Sequence, residues 1–340
     1  MSFDSSPTAP AIPQLQLPYP LRVNPHLESV EKNAETWARE MGMLGGGQHP
    51  ADWAIWDLET FHAMELALMT AYIHPDASRE ELSLLHECYV WILAFDDHFA
   101  NVFKVSRDAV AAAAHVARLS AFTRLDPAQP SPEPTSAVER GLADMWSRMG
   151  QGRSADWRRR FAEAIGYFAD GALWELACIG DGRTPDPFEY ASLRRRAYAG
   201  RMGAYIVEHG RDAEIPPEVV QARPVEALLD AWIDSEMLHN DMHSSLREIN
   251  EEGETSNAIQ VFGVFLKAGP QQAIQAIDGL MNSRMRRFES IIRDELPLLI
   301  RTYGLDGAKA ASLLSWAQGM RYALTGTLAW QLKARRYCER

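Results

Sequence analysis

Apolar residues recur along this chain at helical spacing, with no run that alternates at the period of two expected of a half-buried strand. The spacing predicts helices over 37–44, 57–72, 78–97, 108–125, 137–149, 155–179, 187–209, 225–250, 255–267, 271–296 and 307–336. Glycines 45–47 stop the first, and His74-Pro75-Asp76 stops the second. Beyond Cys88 the third is apolar on every side up to Phe95, so it should be buried all round, and it should end at the adjacent carboxylates Asp96 and Asp97. Residues 127–134 hold four prolines and cannot continue a helix. They read as a surface loop within one domain, because the two candidate site motifs lie on either side of them. The fold class is all-α, without internal repeats.

Composition adds bounds to this pattern. An apolar content of 46% with ten tryptophans is ample for one large core in 340 residues. No apolar run reaches the ~18 residues that a membrane span needs. Residues 1–17 are rich in Ser, Pro and Ala, lack the regions of a signal peptide, and read as a mobile tail before a single domain over 18–340. Cys88, Cys178 and Cys338 are widely spaced and odd in number, which points to neither a disulfide framework nor a zinc ribbon and fits a reducing cytoplasm. A net charge of −12 argues against a nucleic-acid partner. It leaves room for a small anion held by a local cluster of cations.

The candidate chemistry lies in two motifs. Buried carboxylates are costly unless neutralised, so an Asp96-Asp97 pair at the end of an apolar helix calls for a cation, and hard oxygen ligands suit Mg²⁺. Solvated helix ends also carry such pairs, and the second motif changes the weighing. Asn240, Ser244 and Glu248 stand at i, i+4 and i+8, so an amide, a hydroxyl and a carboxylate share one helix face. Mg²⁺ takes few protein ligands and completes its shell with water and phosphate oxygens, so this face opposite the Asp pair implies a phosphorylated ligand between two helices. His239 and His243 are also four apart, but Asn240 stands where a zinc protease helix needs glutamate, so they are read as incidental.

Asp-Asp-His-Phe at 96–99 and Asn-Asp-x-x-Ser-x-x-x-Glu at 240–248 resemble the two metal motifs of class I terpene synthases, and Arg336-Tyr337 resembles their C-terminal diphosphate-contacting pair. The likeness is closest to the N-terminal, germacradienol-forming domain of bacterial geosmin synthases, carried also by Pro18-Tyr19-Pro20, Asn24-Pro25-His26-Leu27, 37–44 and 154–161. It implies a class I helical bundle with the active site in its core, three Mg²⁺ ions held by Asp96, Asp97, Asn240, Ser244 and Glu248, and diphosphate contacts from Arg247, Arg336 and Tyr337. It also implies a sensing arginine followed four residues on by a free carbonyl at a helix break. Arg195 with Ala199 is one register and Arg196 with Gly200 the other.

From the same resemblance, the expected activity is a sesquiterpene synthase that ionises and cyclises farnesyl diphosphate to a C15 hydrocarbon or alcohol, as a homodimer. Aromatic faces stabilise a carbocation without trapping it, and Trp91, Phe95, Trp316 and Trp330 are the candidates for such a wall. The related domains carry a tryptophan at the position of Ala323, a departure that argues against germacradienol and leaves the product open. Competing readings are a cyclase for geranyl or geranylgeranyl diphosphate, an isoprenyl chain-elongating synthase, and a non-catalytic helical homologue. The Asn240-Ser244-Glu248 triad argues against the chain-elongating reading, since those enzymes resemble two facing Asp-rich motifs.

Overall fold

Side-chain caps set many of the helix starts. In a computed structural model, described over residues 11–13, 19–45, 49–126, 129–250 and 253–335, the side chains of Ser78, Ser136, Ser154, Asp186 and Asp306 each accept a backbone N–H of the first turn that follows. The helices are α1 (Leu27–Met41), α2 (Leu58–Ala63), α3 (Leu66–Ile73), α4 (Arg79–Phe99), α5 (Ala109–Leu119), α6 (Ala137–Met149) and α7 (Ala155–Asp181). They continue as α8 (Pro187–Ala197), α9 (Gly200–Gly210), α10 (Arg223–Asn250), α11 (Ala258–Leu266), α12 (Pro270–Ser290), α13 (Leu296–Tyr303) and α14 (Gly307–Gln331). Among the described residues there is no strand, only an isolated bridge between Leu44 and Trp56.

Several expected boundaries change. The first helix begins ten residues early, at Leu27, because Val30 and Ala34 bury with Trp37 and Ala38. The expected helix 57–72 breaks at Glu65, whose φ is +49°, and 187–209 breaks at Ala199, φ +60°. The Asp pair does not end its helix: α4 runs through both residues to Phe99 and on into a π-type turn, Ala100–Lys104. A second π-type turn, Ile291–Glu295, joins α12 to α13.

One hydrophobic cluster, from Ala34 on α1 to Ala334, unites nearly all the helices. Helix α10 packs on α12 and α14, α14 on α3, α7 on α8, and α4 on α1, α3 and α6. At Gly171 on α7 an added Cβ would lie 2.4 Å from the backbone nitrogen of Ala197, so glycine is what lets α7 approach the end of α8 this closely. The segment read as a tail touches the bundle at 11–13. Ala11 exchanges two hydrogen bonds with Gln271, and Ile12 packs on the core. No helix of the described residues is long and apolar enough to cross a membrane.

Candidate active site

Helices α3, α4, α7, α8, α9, α10 and α14 enclose a cavity of about 1040 Å³, counting its open side. Helix α4 presents Tyr89, Ile92, Leu93 and Asp96 to it, a stripe at i, i+3, i+4 and i+7. Helix α10 presents Trp232, Glu236, Asn240 and Glu248, all in one i, i+4 row. Asp96, Asn240 and Glu248, from the two sequence motifs, therefore line one space. Ser244 is buried beside Asn240 and donates its hydroxyl hydrogen to the Asn240 carbonyl at 2.8 Å, which leaves its oxygen lone pairs available for a cation. Asp97 turns the other way and accepts the indole N–H of Trp56 at 2.7 Å.

The polar end of the cavity is an ion-pair network that crosses five elements. Lys104, brought in by the π-type turn, lies 3.0 Å from Glu175 on α7 and 3.0 Å from Glu254 after α10. Arg194 on α8 donates to Glu175 Oε1 at 2.8 Å and to Asp241 Oδ1 at 2.7 Å, and its guanidinium stands 3.7 Å from Glu248. The second oxygen of Asp241 accepts Tyr190 O–H and the Ala258 N–H, both at 2.8 Å, so this carboxylate fixes the starts of α8 and α11 around the site. Glu248 is oriented by Asn257 Nδ2 at 3.0 Å. Burial raises the Glu175 and Asp241 carboxyls, although Lys104 and Arg194 pull the other way. Burial opposes ionisation of Glu254 as well, but Lys104 and the Ser256 hydroxyl hold it well below the usual carboxylate range.

Neither Arg195 nor Arg196, the arginines of the two expected registers, lines the cavity. Arg194 lines the cavity, whereas Arg195 points to the outside of α8 and α10, paired with Asp230 at 2.8 Å and Asp234 at 2.6 Å, and Arg196 lies over the Tyr167 ring. The run Arg194-Arg195-Arg196 looks alike in sequence, and only the buried acids Glu175 and Asp241 on other elements select its first member. Ala199 lines the cavity at the expected break, but its carbonyl accepts Gly203 N–H at 2.9 Å and so begins the hydrogen bonding of α9. A non-glycine residue at this φ is strained, by about 1 kcal/mol.

The aromatic wall also differs from expectation. Trp91 and Phe95 lie on the core face of α4, where Trp91 donates to the Val138 carbonyl and Phe95 packs against Phe99 and Phe168. Trp316 is buried against α9, its indole N–H on the Ala204 carbonyl. None of these three lines the cavity; Trp330 does, joined by Tyr89, Phe168, Tyr198 and Trp232. Ala323 is on the wall too, and Trp316 does not reach round to replace an indole there. The Arg247 side chain, Arg336 and Tyr337 lie outside the described residues.

The donor set fits a hard divalent cation. Among the described residues no three His, Cys, Asp or Glu side chains gather as a self-sufficient metal cage. Two carboxylates, an amide and a hydroxyl do stand on facing helices, the incomplete set that Mg²⁺ shares with phosphate. Charge argues the same way: Lys104 and Arg194 face Asp96, Glu175, Glu248 and Glu254, so an anionic ligand is repelled unless added cations outweigh these acids.

Residues 87–287 match the sequence family described as terpene synthase family 2, C-terminal metal binding. The chain is 28% identical to a (−)-β-caryophyllene synthase of Saccharothrix espanaensis that cyclises (2E,6E)-farnesyl diphosphate, over 83% of this chain and 77% of that protein. It is 25% identical to a 7-epi-α-eudesmol synthase of Streptomyces viridochromogenes with the same substrate, over 95% and 91%. Its fold superposes on the crystal structure of germacradien-4-ol synthase from Streptomyces citricolor with a TM-score of 0.79 at 25% identity, covering 94% of this chain and 97% of that one. With the family's sequence matched over more than half of its length, its fold matched over nearly all of it, and oxygen donors from two helices facing one cavity, the chain belongs to the terpene synthases, enzymes of terpene synthase family 2 with a metal-binding C-terminal region.

Proposed function

We propose that this enzyme ionises and cyclises farnesyl diphosphate to a C15 product, with three Mg²⁺ ions and the diphosphate gathered at the polar end of the cavity. One observation carries the reading: Asp96 from α4 and Asn240 and Glu248 from α10 face the same space as Arg194, at one end of a wall that is otherwise largely apolar and aromatic. Asp96, Asn240, Ser244 and Glu248 would hold the metal, and Arg194 replaces Arg195 as the arginine that meets the diphosphate; Arg247, Arg336 and Tyr337 are further contacts on the resemblance alone. Bound Mg²⁺ supplies the positive charge that stabilises a diphosphate leaving group.

The protein's own part is to bind, orient and shield. Arg194, fixed by Asp241 and Glu175, offers a preorganised guanidinium edge, so little rearrangement is needed as negative charge grows on the leaving oxygen. Tyr89, Phe168, Trp232 and Trp330 offer aromatic faces to the chain that becomes cationic, and the Ile73, Ile92 and Leu93 side chains exclude bulk water while it folds. Ala323 leaves space where the related domains have an indole, which favours a product other than germacradienol. The reading includes a cytoplasmic homodimer, on the resemblance.

The test is incubation with C10, C15 and C20 prenyl diphosphates, measuring diphosphate release and analysing extracts by gas chromatography–mass spectrometry. Mg²⁺-dependent turnover of the C15 substrate, lost in Asp96→Asn and after chelation, is the expected result. Preference for C10 or C20 overturns the substrate, and metal-independent turnover overturns the site.

A further inference from the structure

The largely apolar end of the cavity carries polar atoms that no hydrocarbon can satisfy. Trp232, Glu236 and Gln331 all line it, each no more than 4% exposed, and Trp232 Nε1, Glu236 Oε1 and Gln331 Nε2 have no hydrogen-bond partner. Their placement is concerted. Trp232 and Glu236 are one turn apart on α10, and Thr327 and Gln331 one turn apart on α14, which packs against α10. Gln331 is anchored by its other amide atom to Nδ1 of His239, three residues on from Glu236, and Tyr198 O–H reaches Glu236 Oε2 at 3.5 Å. Glu236 stands one turn before Asn240, about 6 Å along the helix from the metal-facing amide.

Leaving a buried donor or acceptor unpaired costs about 1–3 kcal/mol, and three on one wall call for a common polar occupant. Two N–H donors and a carboxyl oxygen are the partners a buried water molecule requires. We propose that this end of the cavity is a water site and that the reaction ends there, with Glu236 as the base, so that the product is a C15 alcohol. The inference rests on the farnesyl diphosphate reading.

The bonds balance as follows. The allylic carbon–oxygen bond breaks and its electron pair leaves with the diphosphate. After ring closure a lone pair of the water turns from an N–H donor to the terminal carbocation and forms the new carbon–oxygen bond. A proton of the resulting oxonium passes to the ionised Glu236 carboxylate and returns to solvent when the product leaves. Burial pushes Glu236 up to about 8, with the Thr327 and Tyr198 hydroxyls pulling slightly down, so both proton states are accessible near neutral pH.

The experiment is turnover of farnesyl diphosphate with Mg²⁺ in H₂¹⁸O, reading the alcohol share of the products per diphosphate released. The wild type is expected to give mainly alcohol bearing ¹⁸O. In the isosteric Glu236→Gln that share should fall at least tenfold in favour of hydrocarbons, with partial recovery in Glu236→Asp; Gln331→Leu and Trp232→Phe should lower it severalfold through loss of water positioning. Hydrocarbon as the main wild-type product, alcohol without ¹⁸O, or an unchanged alcohol share in Glu236→Gln overturns the water site while the cyclase reading stands. Absence of diphosphate release from the wild type overturns the cyclase reading, and this inference with it.

Discussion

Arg194 and Arg195 are adjacent in sequence and differ in electrostatic surroundings. Arg194 is enclosed by Glu175, Asp241 and Glu248 at the cavity, while Arg195 and Arg284 share Asp234 on the outside of α10. Arg194→Lys keeps the charge but not the planar fork, and is expected to slow diphosphate release at least about tenfold, against less than about threefold for Arg195→Gln, in steady-state assays. Glu236 makes a second residue-scale prediction. Its folded-state pKa, about 8, stands above the ordinary value of 4.5, so the stability it contributes is full below pH 4.5 and is lost as pH rises through 8. The Thr327 and Tyr198 hydroxyls hydrogen-bond to it, and Tyr89 faces it with a phenol that burial pushes well up, so Tyr89 stays neutral across that range. Melting temperatures from pH 5 to 8.5 should therefore fall for the wild type relative to Glu236→Gln, by the equivalent of a few kcal/mol at most. Parallel curves for the two proteins would show that this carboxyl does not titrate as described.

Between elements, buried ion pairs set geometry where apolar packing alone would leave it loose. Arg160 on α7 meets Glu208 on α9 through two bonds of 2.8 and 3.0 Å, and Glu208 also accepts the Ile215 N–H at 2.8 Å. Arg160→Met would strand the fully buried Glu208 charge and is expected to lower unfolding stability by about 3–5 kcal/mol in urea titrations. Replacing both partners by apolar residues should recover much of that loss. The same logic holds Arg194 in place: Asp241 ties α10 to α8 and α11, while Gly171 lets α7 sit against the end of α8. Of the triad on α10, Ser244 and Glu248 are held by near neighbours, Asn240 and Asn257, while Arg194 from α8 reaches it from 46 residues away.

For the molecule as a whole, cavity shape rather than metal chemistry should decide the product. Besides Asp96 of α4 and Asn240 and Glu248 of α10, the cavity is lined by residues of α3, α9 and α14, with Ala323 among them. Ala323→Trp adds an indole to this wall and is expected to change the product ratio by at least about tenfold, read by gas chromatography–mass spectrometry. An unchanged product ratio would mean that this part of the wall does not touch the folding chain. A net charge of −12 is compatible with the proposed anionic substrate, because cations gathered locally would hold it against the surface field.

Helical periodicity, capping residues and the i, i+4, i+8 spacing of Asn240, Ser244 and Glu248 are local, and they determined the all-α class, most of the helices and the pairing of the two acidic motifs. A helix that is apolar on every side carries no mark of which face meets a cavity and which meets the core. For that reason the sequence pointed to Trp91 and Phe95, while the fold turned Tyr89, Ile92 and Leu93 to the cavity. The choice among three consecutive arginines, the inward turn of Lys104 on a π-type turn, and the burial of Glu236 beside the Tyr198 and Thr327 hydroxyls depend on groups many residues away. Burial and long-range charge are properties of the packed chain, so only the tertiary structure could decide them.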